Sequence, residues 1–234
     1  MPLYSLQRLS PTAILGLWQL QEVPDTLWPL LPQAAQYRAL VPPTADATRQ
    51  AQWLAGRVLA HELLRTLLGP EASAAVLLRN EASGRPWLDG SPAGSVVSLS
   101  HSGEWVAALL NTQGRAGIDI ELVRAKARRL ASKYLSEAEW AALPAPAEEA
   151  EALAHFSLLW SAKETLYKLA ARRGIIFKEQ LLLHSKSQTL SGELAATLVL
   201  DGSRTRHRIC YSQPAPGYVL TYSFEDALPE PAVS

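Results

Sequence analysis

Apolar positions along the chain set out its elements before any chemistry is considered. Trp53, Leu54, Val58, Leu59, Leu63, Leu64, Leu67 and Leu68 recur at helical spacing, which predicts a helix over 46–68 closed by Gly69-Pro70. A second long helix is predicted over 150–172 from Leu153, Phe156, Leu159, Trp160, Leu166, Tyr167 and Leu169, with Gly174 ending it. Short apolar or alternating runs predict strands at Tyr4–Leu9, Ala13–Gln19, Ala74–Arg79, Val96–Ser100, Glu104–Leu110 and Ala116–Leu122. A meander is expected at Leu181–His184, Glu193–Leu200, Thr205–Ser212 and Gly217–Phe224. The segment VRAKARRLASKYL reads as a basic helix, and Ser136–Glu139 has the form of a capping box that opens another. Hairpin signals outnumber strand–helix–strand crossovers, so the expected class is α+β. The stretch 144–150 reads as a linker.

Composition narrows the partners. With 234 residues the chain can bury a real core, and 48% of it is hydrophobic. Lys plus Arg and Asp plus Glu both total 22, so whole-molecule attraction to nucleic acid is excluded. Cys210 is the lone cysteine, which removes a disulfide framework and a cysteine-based zinc site. No secretory leader is legible at the start, and no apolar stretch approaches the roughly 18–20 residues of a membrane span. A cytoplasmic protein without membrane or nucleic-acid partners is therefore expected.

Familiar chemical motifs are absent: no phosphate loop, no G-x-G-x-x-G, no H-E-x-x-H and no G-x-S-x-G elbow around Ser100 and His101. Alternation in GIDIE puts Asp119 and Glu121 on one face of a strand, where two like charges invite a cation. In WSAKETLYK, Glu164 and Lys168 share a helix face beside aromatic bulk. Either pair alone reads as ordinary solvated surface. Arg49, Arg57 and Arg85, with Ser100 and His101, could together ring a polyphosphate.

In order, GRPWL, SLSHSG, GIDIE, LSEAEW and WSAKETLYK resemble the motifs of the 4′-phosphopantetheinyl transferases, in particular the large, monomeric, surfactin-synthetase-activating type. The resemblance covers residues 45–180 and only loosely the flanks. It implies two similar α+β halves related by a pseudo-twofold, with the active site in the cleft between them. The halves would span 1–112 and 113–224, with a loose tail at 225–234. It implies transfer of the phosphopantetheine arm of coenzyme A, the co-substrate, to a serine of an apo acyl, peptidyl or aryl carrier protein. Asp119, Glu121 and Glu164 would bind Mg²⁺ (Mn²⁺ is possible). Glu139 would be the general base, with a metal-bound water as the alternative. Lys168 would meet the diphosphate, supported by Lys163, and Ser100, His101, Arg85, Arg49 and Arg57 would contact coenzyme A phosphates. The basic run Arg124, Lys126, Arg128, Arg129 and Lys133 would face the carrier or simply be solvated. A catalytically silent carrier-binding or coenzyme A-binding protein and a Mg²⁺-dependent diphosphate hydrolase acting on coenzyme A are the competing readings.

Overall fold

The computed structural model describes residues 3–143, 148–184 and 191–226. Strands β1 (Leu3–Arg8) and β2 (Ala13–Gln19) form a hairpin. Short helices α1 (Pro24–Leu27) and α2 (Ala34–Arg38) then lead to α3 (Ala47–Leu68). The Asp46 side chain caps α3 by accepting from Arg49 N at 2.8 Å, and Gly69 ends it at φ 96°. Next come α4 (Pro70–Ala75), the hairpin β3 (Leu77–Asn80) and β4 (Pro86–Asp89), and the hairpin β5 (Val96–Ser102) and β6 (Trp105–Asn111). The expected strand from Ala74 thus starts three residues later. Pro70 sits in the first turn of a helix, where its missing N–H costs nothing, and that helix takes up the early residues.

Between Asn111 and Gly114 the chain leaves one sheet for another. Strand β7 (Gly114–Leu122) precedes α5 (Ala125–Arg129), α6 (Ala131–Tyr134) and α7 (Glu137–Ala141). The basic stretch is therefore two short helices rather than one. The long helix α8 (Glu149–Ala170) ends at Ala171, a non-glycine in the left-handed region at φ 53°, three residues before Gly174. The short helix α9 (Phe177–Gln180) leads into β8 (Leu181–His184), β9 (Gly192–Leu200), β10 (Ser203–Ser212) and β11 (Tyr218–Asp226). Residues 144–147 of the expected linker, and 227–234 of the expected tail, lie outside the described residues.

The sheets are ordered β1-β2-β6-β5 and β7-β11-β10-β9-β8. In each half a strand (β2 or β7) is followed by a 22-residue helix (α3 or α8) and later by a hairpin (β5–β6 or β10–β11). The hairpin's last strand returns antiparallel to the first. The same unit is built twice, as expected of two similar α+β halves. Even the close contacts correspond. A Cβ on Gly16 of β2 would lie 2.7 Å from Leu59 of α3, and one on Gly117 of β7 would lie 2.2 Å from the Thr165 carbonyl of α8. Each half has its own core under its long helix. A third cluster, including Leu15, Leu109, Ile118 and Leu220, packs one sheet against the other.

Candidate active site

Where the halves meet, serines at alternate positions of β5 face β7. Ser98 Oγ accepts from Ile118 N at 3.1 Å, Ser100 Oγ donates to Asp119 Oδ1 at 2.8 Å, and Ser102 Oγ accepts from Leu122 N at 3.0 Å. A strand whose inward positions are hydroxylated thus stitches the two sheets together by side chains. On its other side β7 lies directly under α8, because Gly117 leaves no Cβ to hold the helix off. Ser161 and Thr165 of α8 each bond the buried Thr221 hydroxyl of β11, at 2.9 and 2.7 Å, which pins the helix to the sheet.

This close packing gathers the acids. Asp119 is only 4% exposed, and its Oδ1 accepts from Ser100 and from Lys168 Nζ at 2.8 Å. Its Oδ2 is buried and has no partner among the described residues. Glu121 accepts from Trp160 Nε1 at 3.1 Å on one oxygen and from Ser102 Oγ at 3.3 Å on the other. Burial, and then the charge of Asp119, raise the Glu121 pKa. The Glu164 carboxyl is pushed up to about 7, first by burial and further by Asp119 and Glu121, against the pull of Lys168 and Lys126. Three carboxyls that repel one another, one with an orphaned buried oxygen, form an all-oxygen donor set suited to a hard divalent cation. The residues fit such an ion in charge and chemistry. As they stand, no three acidic or imidazole side chains among the described residues close a ligand shell, and Lys168 supplies the neutralising charge at Asp119.

Two cavities adjoin this cluster. One of about 430 Å³ is walled by α3 and β5, with Arg49, Arg57, Ser100 and His101 on its lining. The Arg57 guanidinium is buried, stacked 3.5 Å over the Trp53 ring and bonded to Asn80 Oδ1; burial lowers its pKa to about 9. A second, about 530 Å³, lies between the β3–β4 turn and the end of α8, with Arg85 and Lys168 on its lining. His101 is open to solvent at the junction. Desolvation within the concave mouth, then the fields of Lys168 and Arg49, lower its pKa. The structure therefore brings together Asp119, Glu121, Glu164, Lys168, Ser100 and His101, with Arg49, Arg57 and Arg85 around the adjoining cavities.

Glu139 and Lys163 are not part of this group. Lys163 is fully buried, and its ammonium donates to Glu139 Oε2 at 2.7 Å and to the Tyr134 carbonyl at 2.6 Å. Glu139 also accepts from Ser136 N and Leu183 N, both at 2.7 Å, within the predicted capping box. A carboxylate so enclosed cannot reach a substrate hydroxyl, and a lysine with no exposed surface cannot reach phosphate. The expected general base and its neighbour are instead an internal ion pair tying α7, α8 and β8. The basic run also divides: Arg124 and Lys126 face the site, while Arg128 pairs with Glu149 at 2.6 Å. Trp160, Ser102 and Gly117 escaped the sequence reading. Alternate hydroxyls in SLSHS were the one legible signal.

Comparison with known sequences agrees with this geometry. Residues 36–111 match the 4′-phosphopantetheinyl transferase N-terminal domain, and residues 115–223 match the 4′-phosphopantetheinyl transferase superfamily. The 4′-phosphopantetheinyl transferase AcpT of Salmonella typhi is 36% identical over 132 residues, 56% of this chain and 64% of that protein. AcpT of Escherichia coli O157:H7 is 34% identical over 122 residues, 51% of this chain and 57% of that protein. The chain thus spans less than two thirds of the length of these relatives, and they do not single out a surfactin-activating type. Among the described residues no helix is long and apolar enough to cross a membrane. The two adjoining matches, one to each half and meeting where the sheets change over, show that the chain belongs to the 4′-phosphopantetheinyl transferase superfamily.

Proposed function

We propose that the protein transfers the 4′-phosphopantetheine arm of coenzyme A to a serine hydroxyl of an apo acyl, peptidyl or aryl carrier protein, releasing adenosine 3′,5′-bisphosphate. The serine oxygen sheds its proton to solvent and bonds to the phosphorus that carries the arm. The bond from that phosphorus to the bridging oxygen breaks, and its electron pair leaves with the nucleotide. The observation that carries this reading is the cluster of the buried Asp119 and the half-buried Glu121 and Glu164 beside Lys168, which lines one of two adjoining arginine-lined cavities. Phosphoryl transfer asks mainly for positioning and charge neutralisation, and this arrangement supplies both.

Asp119, Glu121 and Glu164 would hold the divalent cation, Mg²⁺ or Mn²⁺. When bound, the ion neutralises charge on the diphosphate. Lys168 adds its ammonium to the leaving phosphate, and Ser100 fixes the Asp119 carboxylate. Arg49, Arg57, Arg85 and His101 receive the nucleotide's phosphates. Arg124 and Lys126, rather than the whole basic run, stand on the carrier side. Both walls of the cleft come from one chain, which supports a monomer of the large type; coenzyme A as co-substrate supports a cytoplasmic setting.

The test is incubation of the full chain with coenzyme A, Mg²⁺ and a panel of apo carriers, read by intact mass. A gain of one phosphopantetheine on a carrier is expected. No gain on any carrier would refute the proposal, and free phosphopantetheine formed without a carrier would make the protein a hydrolase.

A further inference from the structure

The turn 81–85 joins β3 to β4 and stands between the two arginine-lined cavities, since Gly84 and Pro86 line both. Among the described residues the β3–β4 hairpin is a sheet of its own, with four residues in each strand. A two-stranded hairpin of that size is marginal by itself, so the turn keeps its place only where other elements grip it. It is gripped from both halves. From the N-terminal half, Asn80 Nδ2 donates to the Gly84 carbonyl at 2.8 Å, and Asn80 is itself held by the buried Arg57 guanidinium of α3. From the C-terminal half, Arg173 Nη2 donates to the Ala82 carbonyl at 2.8 Å, across 91 residues of sequence.

The backbone prepares the second grip. Ala171 ends α8 at φ 53°, where a residue with a side chain is strained, and strain of this kind is kept where the surrounding structure enforces it. Just beyond that reversal, Arg172 reaches Asp201 in the turn between β9 and β10, whose two carboxylate oxygens take its two terminal nitrogens. With Arg172 tied to its own half, the next residue is the one that spans the cleft. Arg173 and Arg85 line the same cavity as Lys168.

We infer that Arg173 is a positioning residue: it latches the 81–85 turn across the cleft and so holds Arg85, and the wall between the cavities, in the arrangement that receives coenzyme A. This rests on the coenzyme A reading above. Arg173 acts through the turn and not on the substrate. A turn held in place before binding spares the ligand the cost of ordering it. The latch therefore shows in affinity and leaves the chemical step alone.

The test is transfer kinetics on the full chain, with Mg²⁺ and a carrier that the wild type modifies, read beside hydrogen exchange of the turn amides. Arg173→Ala should raise the KM for coenzyme A about three- to tenfold. Its kcat should stay within about twofold of wild type. Exchange should quicken at the Glu81 and Gly84 amides, which are bonded inside the turn. The unfolding midpoint should hold, because Arg173 is exposed. Arg173→Lys, which can still donate to the carbonyl, should recover part of the loss. The ratio of variant to wild-type KM should be the same at about 0.05 and 0.5 M salt, since salt screens a free charge far more than a hydrogen bond. An unchanged KM in Arg173→Ala overturns the inference. So does a KM effect that vanishes in the higher salt with turn exchange unaltered, which would make Arg173 a through-space charge. An unfolding midpoint that falls in step with the lost affinity also overturns it, by making Arg173 structural. A wild-type chain that modifies no carrier and binds no coenzyme A sinks the coenzyme A reading instead, and that is seen before any variant is made.

Discussion

Replacing Glu139 by Gln separates an internal ion pair from a catalytic base. The Lys163 side chain is fully buried and that of Glu139 is 6% exposed. The carboxylate accepts three hydrogen bonds at 2.7 Å, from Lys163 Nζ, Ser136 N and Leu183 N. Gln keeps one acceptor and turns a donating NH₂ toward groups that also donate. It leaves the Lys163 ammonium in the interior without its counter-charge. Removing one partner of a buried pair costs about 3–5 kcal/mol. For a chain of this size each kcal/mol lowers Tm by about 2–4 °C, so a fall of about 6–20 °C is expected. Burial already lowers the Lys163 pKa, against the opposing pull of Glu139. Without the carboxylate it falls further, so between the folded pKa and that of an unfolded lysine the unfolded chain holds more protons. The stability of Glu139→Gln therefore rises with pH in that window, and its deficit shrinks toward alkaline pH. Replacing both residues by Leu and Met should recover much of the loss. Thermal and urea unfolding at several pH values are the assay. A variant as stable as wild type that has lost transfer by two orders of magnitude would refute this reasoning and restore Glu139 as a base.

Asp119→Asn keeps the shape but removes the charge that Lys168 and the cation share. Transfer should fall by about 10²-fold or more, read by carrier mass, with folding retained. Gly117→Ala puts a Cβ 2.2 Å from the Thr165 carbonyl and pushes α8 off β7. It should cost about 1–3 kcal/mol in urea unfolding, and a larger share of transfer than of stability. His61 donates through Nδ1 to the Ser73 carbonyl and accepts from Tyr37 at 2.8 Å, and burial lowers its pKa to about 4. Its folded pKa lies below the unfolded value, so stability should drop by up to about 3 kcal/mol as pH falls from about 6.5 to 4. His61→Gln should flatten that slope, and an unchanged slope would place the acid sensitivity elsewhere.

Local pattern carries what depends on neighbours in sequence. Helical spacing from Trp53 to Leu68 and from Leu153 to Leu169 foretold the two long helices, and alternation in GIDIE put Asp119 and Glu121 on one face. Ser136 and Glu139 predicted a capping box that the structure contains. Glu139 also shows where such reading stops. Its Oε1 is claimed by Leu183 N, 44 residues on, and its capping oxygen, Oε2, also takes a lysine on another helix, and those contacts turn an apparent base into an internal ion pair. Likewise Ser102 and Trp160 matter only because β5 and α8 flank β7, and that adjacency depends on Gly117 having no side chain. Periodicity follows from the geometry of one backbone segment. Which carboxylate keeps a free oxygen is decided by burial and by partners that the chain brings back from far away.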